Sequence, residues 1–587
     1  MYKEKEKVLV RKEILSHAVK ILTKGRINAT LTNPRYIELI RDTLTKSDYG
    51  FDFLAKYVRD KSLEKWNEFY YSIVKKKKKP SELRVAYLSG PNPENDLEIL
   101  VNLGVLPENV WAFESDNELY NQALKSTLNS EFPHIKIQEC KISDFFNTTP
   151  LKFDIVYLDF CGPLPNRNKK QKNLSTITSL LFNHVLNSPG ILITNFSLPS
   201  ETQDRIGREL IAKLVAIYLF RKTFLESPDP LEPDIKYYNK YTKNENLIPY
   251  AIYEGHIGLT FLEWKDRVLQ HLEEYYSQFI TRLLIDLSSM IIPYYTFSTN
   301  KSYMNQLFKI FTKEQRNKFI LKFYHYNEKN NNQNYFNENG FNQEKFFSDL
   351  TLKLDSTTPI DRLNGTVHHN TMFPITWSLA TLNKQRNYND SNFPNCIYND
   401  QDFLKFTESF LNQIAPTNNI EDLLSNFELV YFLASGEFID KNCDLSSKKL
   451  CELSKINWMF RIPQLCDLFL FHQIKEFLIR QLSVPYHLNL TKTRRWSYKA
   501  KKTRMFTDLL VLDECRYLYD WMPNIGTIKE SLLNDLERQL IFRFILDGVM
   551  RHNRWIVMEL FYGTAAICKF QYKGLEFENL RLRKYIN

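Results

Sequence analysis

Between Leu83 and Leu198 five short β-rich runs, "RVAYL", "NVWAF", "IKIQE", "FDIVYLDF" and "GILITNF", are each followed by polar or amphipathic sequence. A strand with no regular polar side must be covered on both faces, and strands separated by helix-length stretches are joined by crossovers that leave them parallel. The pattern therefore predicts an α/β fold with a doubly wound, mostly parallel sheet.

The flanks read differently. Residues 1–80 show helical spacing, as in Ile14, Ala18, Ile21 and Leu22, then Phe53, Leu54, Tyr57 and Val58, and predict a helical N-terminal domain. It ends at "VKKKKKP", where self-repelling lysines and a proline mark a linker or domain edge. Residues 81–385 form the sheet domain with insertions. A helix is expected over Thr202–Thr223 and a long one over Phe261–Ser289. The Pro-rich "ESPDPLEPDIKYYNKY" and the Asn-rich "NEKNNNQNYFNENGFNQ" read as exposed loops, and "MIIPYYTF" and "TMFPITWSL" as the last strands. Residues 386–587 read as a mainly helical, basic C-terminal domain.

At 587 residues the chain exceeds one ordinary core. With 43% hydrophobic and 14% aromatic residues it has the apolar surface of a folded protein. No apolar stretch has membrane-spanning length and the start carries no signal-like core, so a cytoplasmic protein without membrane contact is expected. Eight cysteines without a CxxC pair argue against a zinc ribbon or disulfide framework and for reduced, buried thiols. His368 and His369 lack a third ligand at metal spacing. The net charge of +10 favours a polyanionic partner.

Ligands of open parallel sheets bind beyond the carboxyl ends of the strands. At the first such end lie Ser89, Gly90, Pro91, Asn92 and Asp96; Gly90 permits a tight turn, and Asn95 or Asp96 would cap a helix starting at Leu97. The second strand ends in Glu114, followed by Ser115. A carboxylate about 20 to 25 residues past the glycine loop, at the end of the next strand, is positioned to accept both hydroxyl protons of a ribose. Asp144 follows the third strand, within reach of an adenine amino group. The structural alternative is that each acid merely caps a helix.

This order of elements resembles the class I methyltransferase family, which binds S-adenosyl-L-methionine. The resemblance covers Leu83 to Leu198, about a fifth of the chain. It implies that Glu114 is the ribose-binding acid, that Asp144 is the adenine-binding acid, that "DFCGP" holds the fourth-strand catalytic motif, and that "NSPGILITNF" is the fifth strand with its Pro-Gly start. The departure is a first loop with one glycine. Aligned on Gly90, the family's acid and later glycines fall on Leu88, Asn92 and Glu94. Asn92 tolerates a left-handed turn, whereas a Glu94 carboxylate would repel the cofactor's own carboxylate or bind its ammonium group. Two prolines remove amide donors that a pyrophosphate needs, which favours S-adenosyl-L-methionine over NAD.

In "DFCGP", Asp159 fits the acceptor position of the family's Asp/Asn-Pro-Pro-aromatic motif, with Phe160 and Cys161 beside it, but Phe160, Cys161 and Gly162 do not follow that pattern. Cys161 raises the alternative of thiolate attack on a pyrimidine ring, but it follows Phe160 where that chemistry uses proline, and a small buried thiol is the commoner fate. The acceptor role goes to Asp159. Downstream, Arg167, Lys169, Lys170 and Lys172 would reach a phosphate backbone, or form a solvated loop. In "TKTRRWSYKAKKTR" the cations Arg494, Arg495, Lys499, Lys501, Lys502 and Arg504 surround Trp496 and Tyr498, a pattern that neutralises phosphates while stacking bases. The bland reading is a basic surface with two core aromatics. The expected activity is methyl transfer to DNA or RNA; the alternatives are a degenerate scaffold binding nucleic acid or protein, or methylation of a protein or small molecule. A protein partner or a homo-oligomer would engage the helical regions.

Overall fold

The computed structural model describes residues 5–32, 34–45, 58–133, 135–166, 172–202, 204–219, 261–300, 336–337, 340–341, 400–414, 481–500, 503–521 and 580–586. Nine strands among them form one mixed, mostly parallel sheet. The first five are β1 (Val85–Leu88), β2 (Val110–Glu114), β3 (Lys136–Glu139), β4 (Phe153–Asp159) and β5 (Leu186–Ser197), the strands expected from the apolar runs. The rest are β6 (His487–Leu488), β7 (Arg494–Ala500), β8 (Thr503–Asp513) and β9 (Lys584–Ile586).

Across the sheet the order is β9-β7-β8-β5-β4-β1-β2-β3, with β6 pairing β8. Strands β1 to β5 pair in parallel, as do β7 and β9, whereas β8 runs antiparallel to β5, β6 and β7. The order of the first five reverses between β1 and β4.

Alternate residues of β1, β4 and β5 enter two cores. Val85, Tyr87, Ile155, Tyr157, Ile191 and Ile193 pack on one face with α1 (Lys5–Leu22) and α4 (Glu94–Asn102). Ala86, Val156, Leu158, Leu192 and Phe196 pack on the other. That second core takes in α2 (Tyr36–Thr45), α3 (Asp60–Ile73), α6 (Ile142–Thr148) and α7 (Asn173–Phe182). It also takes in α8 (Arg205–Leu219), α9 (Phe261–Gln270), α10 (Leu272–Asp286), α11 (Ile292–Thr299) and α12 (Gln401–Ile414). Helix α5 (Asn117–Leu128) joins β2 to β3. Burial on both faces explains why β1, β4 and β5 lack polar alternation.

Three expectations change. The last strands do not come from "MIIPYYTF": Leu287–Ile291 is a π-helical turn and α11 follows it, because a short apolar run fits either period. "TMFPITWSL" lies outside the described residues, as do Pro-rich 226–241 and Asn-rich 327–343 apart from 336–337 and 340–341. The closing strands come instead from 487–586, within the part expected to be mainly helical. The long helix expected over Phe261–Ser289 breaks at His271, where the backbone leaves helical geometry.

The N-terminal helices are built into the same cores rather than standing apart. Buried Val10, Ile14, Leu15 and Ala18 of α1 recur at helical spacing and pack on the sheet. Nor does the lysine run swing free: Lys78 donates to both oxygens of buried Asp154, at 2.7 and 2.8 Å. Among the described residues no helix is long and apolar enough to cross a membrane.

Candidate functional site

Beyond the carboxyl ends of β1, β2 and β4 lies a cleft of about 850 Å³. Ser89, Gly90, Pro91, Asn92, Asp96, Glu114, Ser115, Asp144, Asp159, Phe160 and Cys161 all line it. Four strand ends and their loops thus bring together every cofactor and acceptor residue expected from sequence. The location is the one where open α/β sheets hold ligands, next to the reversal of strand order.

The loop after β1 turns at Gly90, whose φ of +59° is a left-handed conformation, while the space around it is open. Glycine is there for backbone geometry, not for close approach. Tyr87 donates its hydroxyl to the Pro93 carbonyl at 2.6 Å and ties the loop to β1. Helix α4 starts at Glu94, three residues earlier than expected, with Pro93 rather than Asn95 or Asp96 at the N-cap. Glu94 does not line the cleft: its carboxylate accepts from Ser126 of α5 at 2.8 Å. The repulsion foreseen for that acid therefore does not arise.

Glu114 ends β2 half-exposed and accepts from the Asp116 amide at 2.9 Å. Asp116, not Glu114, caps α5, accepting from the Leu119 amide at 3.0 Å. This separates the two carboxylates by role: one is used by the helix, the other faces the cleft. Asp144 is exposed in the first turn of α6, where the helix dipole favours its charge.

Asp159, at the end of β4, accepts from Asn195 of β5 at 2.7 Å, and Asn195 is itself held by Thr507 and Tyr498. The following turn is pinned by Ser197, whose amide donates to the Gly162 carbonyl, and by Tyr276, whose hydroxyl accepts from the Leu164 amide. Phe160 stacks on Phe196 with centroids 5.5 Å apart, so its ring is committed to the core edge. Cys161 is exposed, contrary to the buried thiol expected, whereas Cys515 is buried. Partial desolvation of its sulfur, then the Asp159 charge, push the Cys161 thiol up, which disfavours a thiolate nucleophile.

Two residues that sequence reading missed reach in from α1. Lys7 lies 2.9 Å from Asp159, and Arg11 2.8 Å from Asp96 and 3.9 Å from Asp159. They stand one helical turn apart and so share a face. A basic i,i+4 pair is indistinguishable in sequence from a solvated face; only the packing of α1 across the strand ends aims it inward. Burial works against the Lys7 ammonium, but Asp159 outweighs it and raises its pKa.

Asp96 is fully buried, and burial pushes it up to about 6 although Arg11 pulls the other way. A carboxyl raised on folding stabilises the native state least when ionised, so stability is lost as pH rises from about 4 to 6, by about 3 kcal/mol. Asp96→Asn does not titrate. Its stability relative to the parent should therefore improve by about that amount between pH 4 and 7, read by urea unfolding at both ends. A constant difference contradicts the burial account.

The cleft is mixed in charge. Lys7, Arg11, Lys141 and Lys172 face Asp96, Glu114, Asp144 and Asp159 around it. A lining of both signs can pair both ends of a zwitterion.

The expected nucleic-acid residues fare differently. Arg495, Trp496 and Tyr498 are only 2%, 5% and 2% exposed, because "RRWSY" is an interior strand covered on both faces. Their rings cannot stack on bases: the Trp496 indole donates to Glu13 and the Tyr498 hydroxyl bonds Asn195. Burial first, then Arg583, lower the pKa of Arg495 to about 9. Lys499 is exposed, Arg494 half-buried, and Arg504 pairs with Glu273 at 3.3 Å. Arg167, Lys169, Lys170, Lys501, Lys502, His368 and His369 lie outside the described residues. No family model matches the chain, nor does any curated protein or solved structure match it at a significant level.

Proposed function

We propose that the chain is a doubly wound, methyltransferase-like protein that binds S-adenosyl-L-methionine and transfers its methyl group to nucleic acid. The observation that carries this reading is the convergence of Gly90, Glu114, Asp144 and Asp159, from four separate strand ends, on one cleft. The β3-β2-β1-β4-β5 order, reversing beside that cleft, is the order of nucleotide-binding α/β sheets and supports the same reading.

In this account Glu114 accepts the ribose hydroxyls and Asp144 the adenine amine. The left-handed turn at Gly90 shapes the loop beside the amino-acid portion, whose carboxylate Arg11 and Lys7 would neutralise. When bound, the cofactor supplies an electrophilic methyl on a sulfonium. The protein's own part is to hold the acceptor: Asp159, fixed by Asn195, takes a hydrogen bond from the attacking amine and orients its lone pair. The net charge of +10 and the exposed Lys499 fit a polyanionic acceptor. Methyl-labelled cofactor incubated with DNA, RNA and protein separately tests the class: label in a nucleic acid supports the reading, and label only in protein or in nothing opposes it.

A second reading has its own observation. Lys7 already neutralises Asp159 at 2.9 Å, which is what a scaffold that has lost its acceptor chemistry would show. Under it the cleft need not bind cofactor, and the fold serves as a binding platform.

A further inference from the structure

A second concavity, of about 670 Å³, lies on the α1 face of the sheet, away from the cleft. Three segments hundreds of residues apart build it: Lys12 and Lys20 from α1, Arg494 from β7, and Arg581 and Lys584 at β9. We propose that this groove carries the phosphate backbone of a nucleic-acid strand. The inference rests on the reading of the cleft as a site acting on nucleic acid, and names where that substrate is gripped.

Charge is the first ground. The five cations face a single carboxylate in the groove, Glu13, and that one is already engaged by the Trp496 indole at 2.8 Å and by Lys584 at 2.8 and 3.0 Å. Arg494 is held by the carbonyls of Thr491 and Thr493, at 2.6 and 2.7 Å, and no carboxylate among the described residues pairs with it. Burial and then the charge of Arg581 lower its pKa to about 10. Two guanidiniums set beside each other without an acid repel, and a phosphate between them relieves that repulsion while accepting several N–H bonds.

Shape is the second. Lys12 and Lys20 are eight residues apart on one helix, about 12 Å by its rise. That row is longer than one small anion needs and suits more than one phosphate of a strand. On the rims, Leu9 is 48% and Leu582 67% exposed, apolar surface that sugars or bases can cover. The groove also shares α1 with the cleft: Lys7 and Arg11 point one way, Lys12 and Lys20 the other. A strand lying along the helix would thus have its reactive base near the acceptor end.

Lys12 and Arg581 are exposed, so Lys12→Gln with Arg581→Gln should leave the fold intact, checked by an unchanged melting curve. Binding of a labelled single-stranded oligonucleotide is followed by anisotropy over a range of salt. The double variant is expected to bind at least tenfold more weakly, with a salt slope smaller by about 1.4, roughly 0.7 per lost phosphate contact. Unchanged affinity and slope would overturn the proposal, as would displacement of the oligonucleotide by millimolar inorganic phosphate as readily as by unlabelled strand. S-adenosylhomocysteine binding separates the two readings. If it is absent while the groove variant still weakens oligonucleotide binding, the cleft reading falls and the groove stands; if it is present while the variant changes nothing, only the groove falls.

Discussion

Replacing Arg583 by alanine is expected to lower the stability of the protein by about 3–5 kcal/mol, the cost of leaving a buried charge without its partner. Arg583 is 6% exposed and lies 2.7 Å from Asp508, which is fully buried. Its guanidinium also donates to the carbonyls of Trp496, Thr507 and Ser277, so it ties β7, β8 and α10 together. Thr281 donates to the Asp508 carboxylate from the α10 side. Urea unfolding and the melting temperature both read the loss. The double substitution Arg583→Met with Asp508→Leu should recover only part of it, because buried Arg495, which also faces Asp508, then loses that charge. A loss under 1 kcal/mol for the single variant would mean that the C-terminal strand is not integral to the sheet.

The second large effect concerns chemistry. Asp159→Ala is expected to slow methyl transfer by about 100-fold to 10,000-fold, the usual worth of a positioned acid or base, while S-adenosylhomocysteine still binds. The carboxylate sits at the end of β4 with Asn195 fixing one oxygen and Lys7 the other. Lys7→Met should raise transfer or leave it unchanged if Lys7 merely occupies the acceptor position, and lower cofactor affinity if it grips the cofactor's carboxylate. Transfer at the parent rate in Asp159→Ala would remove Asp159 from the acceptor role.

Which parts could be seen in the sequence follows from where the partners lie. Strands β1, β2, β4 and β5 were legible because each is an apolar run with much of its length buried, and the edge strand β3 by its place in the alternation of strands and helices. The acids at their ends were legible for the same reason, once the strands were assigned. Strands β7 and β8 were not: "TRRWSYKAKKTR" is rich in cations, and Arg495 becomes an interior residue only through Asp508, Thr281 and the Arg581 carbonyl. Nothing local announces those partners. Lys7 and Arg11 were missed because their meaning depends on α1 crossing the strand ends, and Glu94 was misjudged because its partner, Ser126, belongs to α5.

The central claim is that the cleft beyond β1, β2 and β4 is a live S-adenosyl-L-methionine pocket. Isothermal titration of S-adenosylhomocysteine into the full chain, with Glu114→Ala beside it, tests that claim most directly. Micromolar binding, weakened at least tenfold in Glu114→Ala as a lost charge-assisted ribose contact requires, is the result expected. No heat in either protein would contradict the account and leave the cleft without its cofactor.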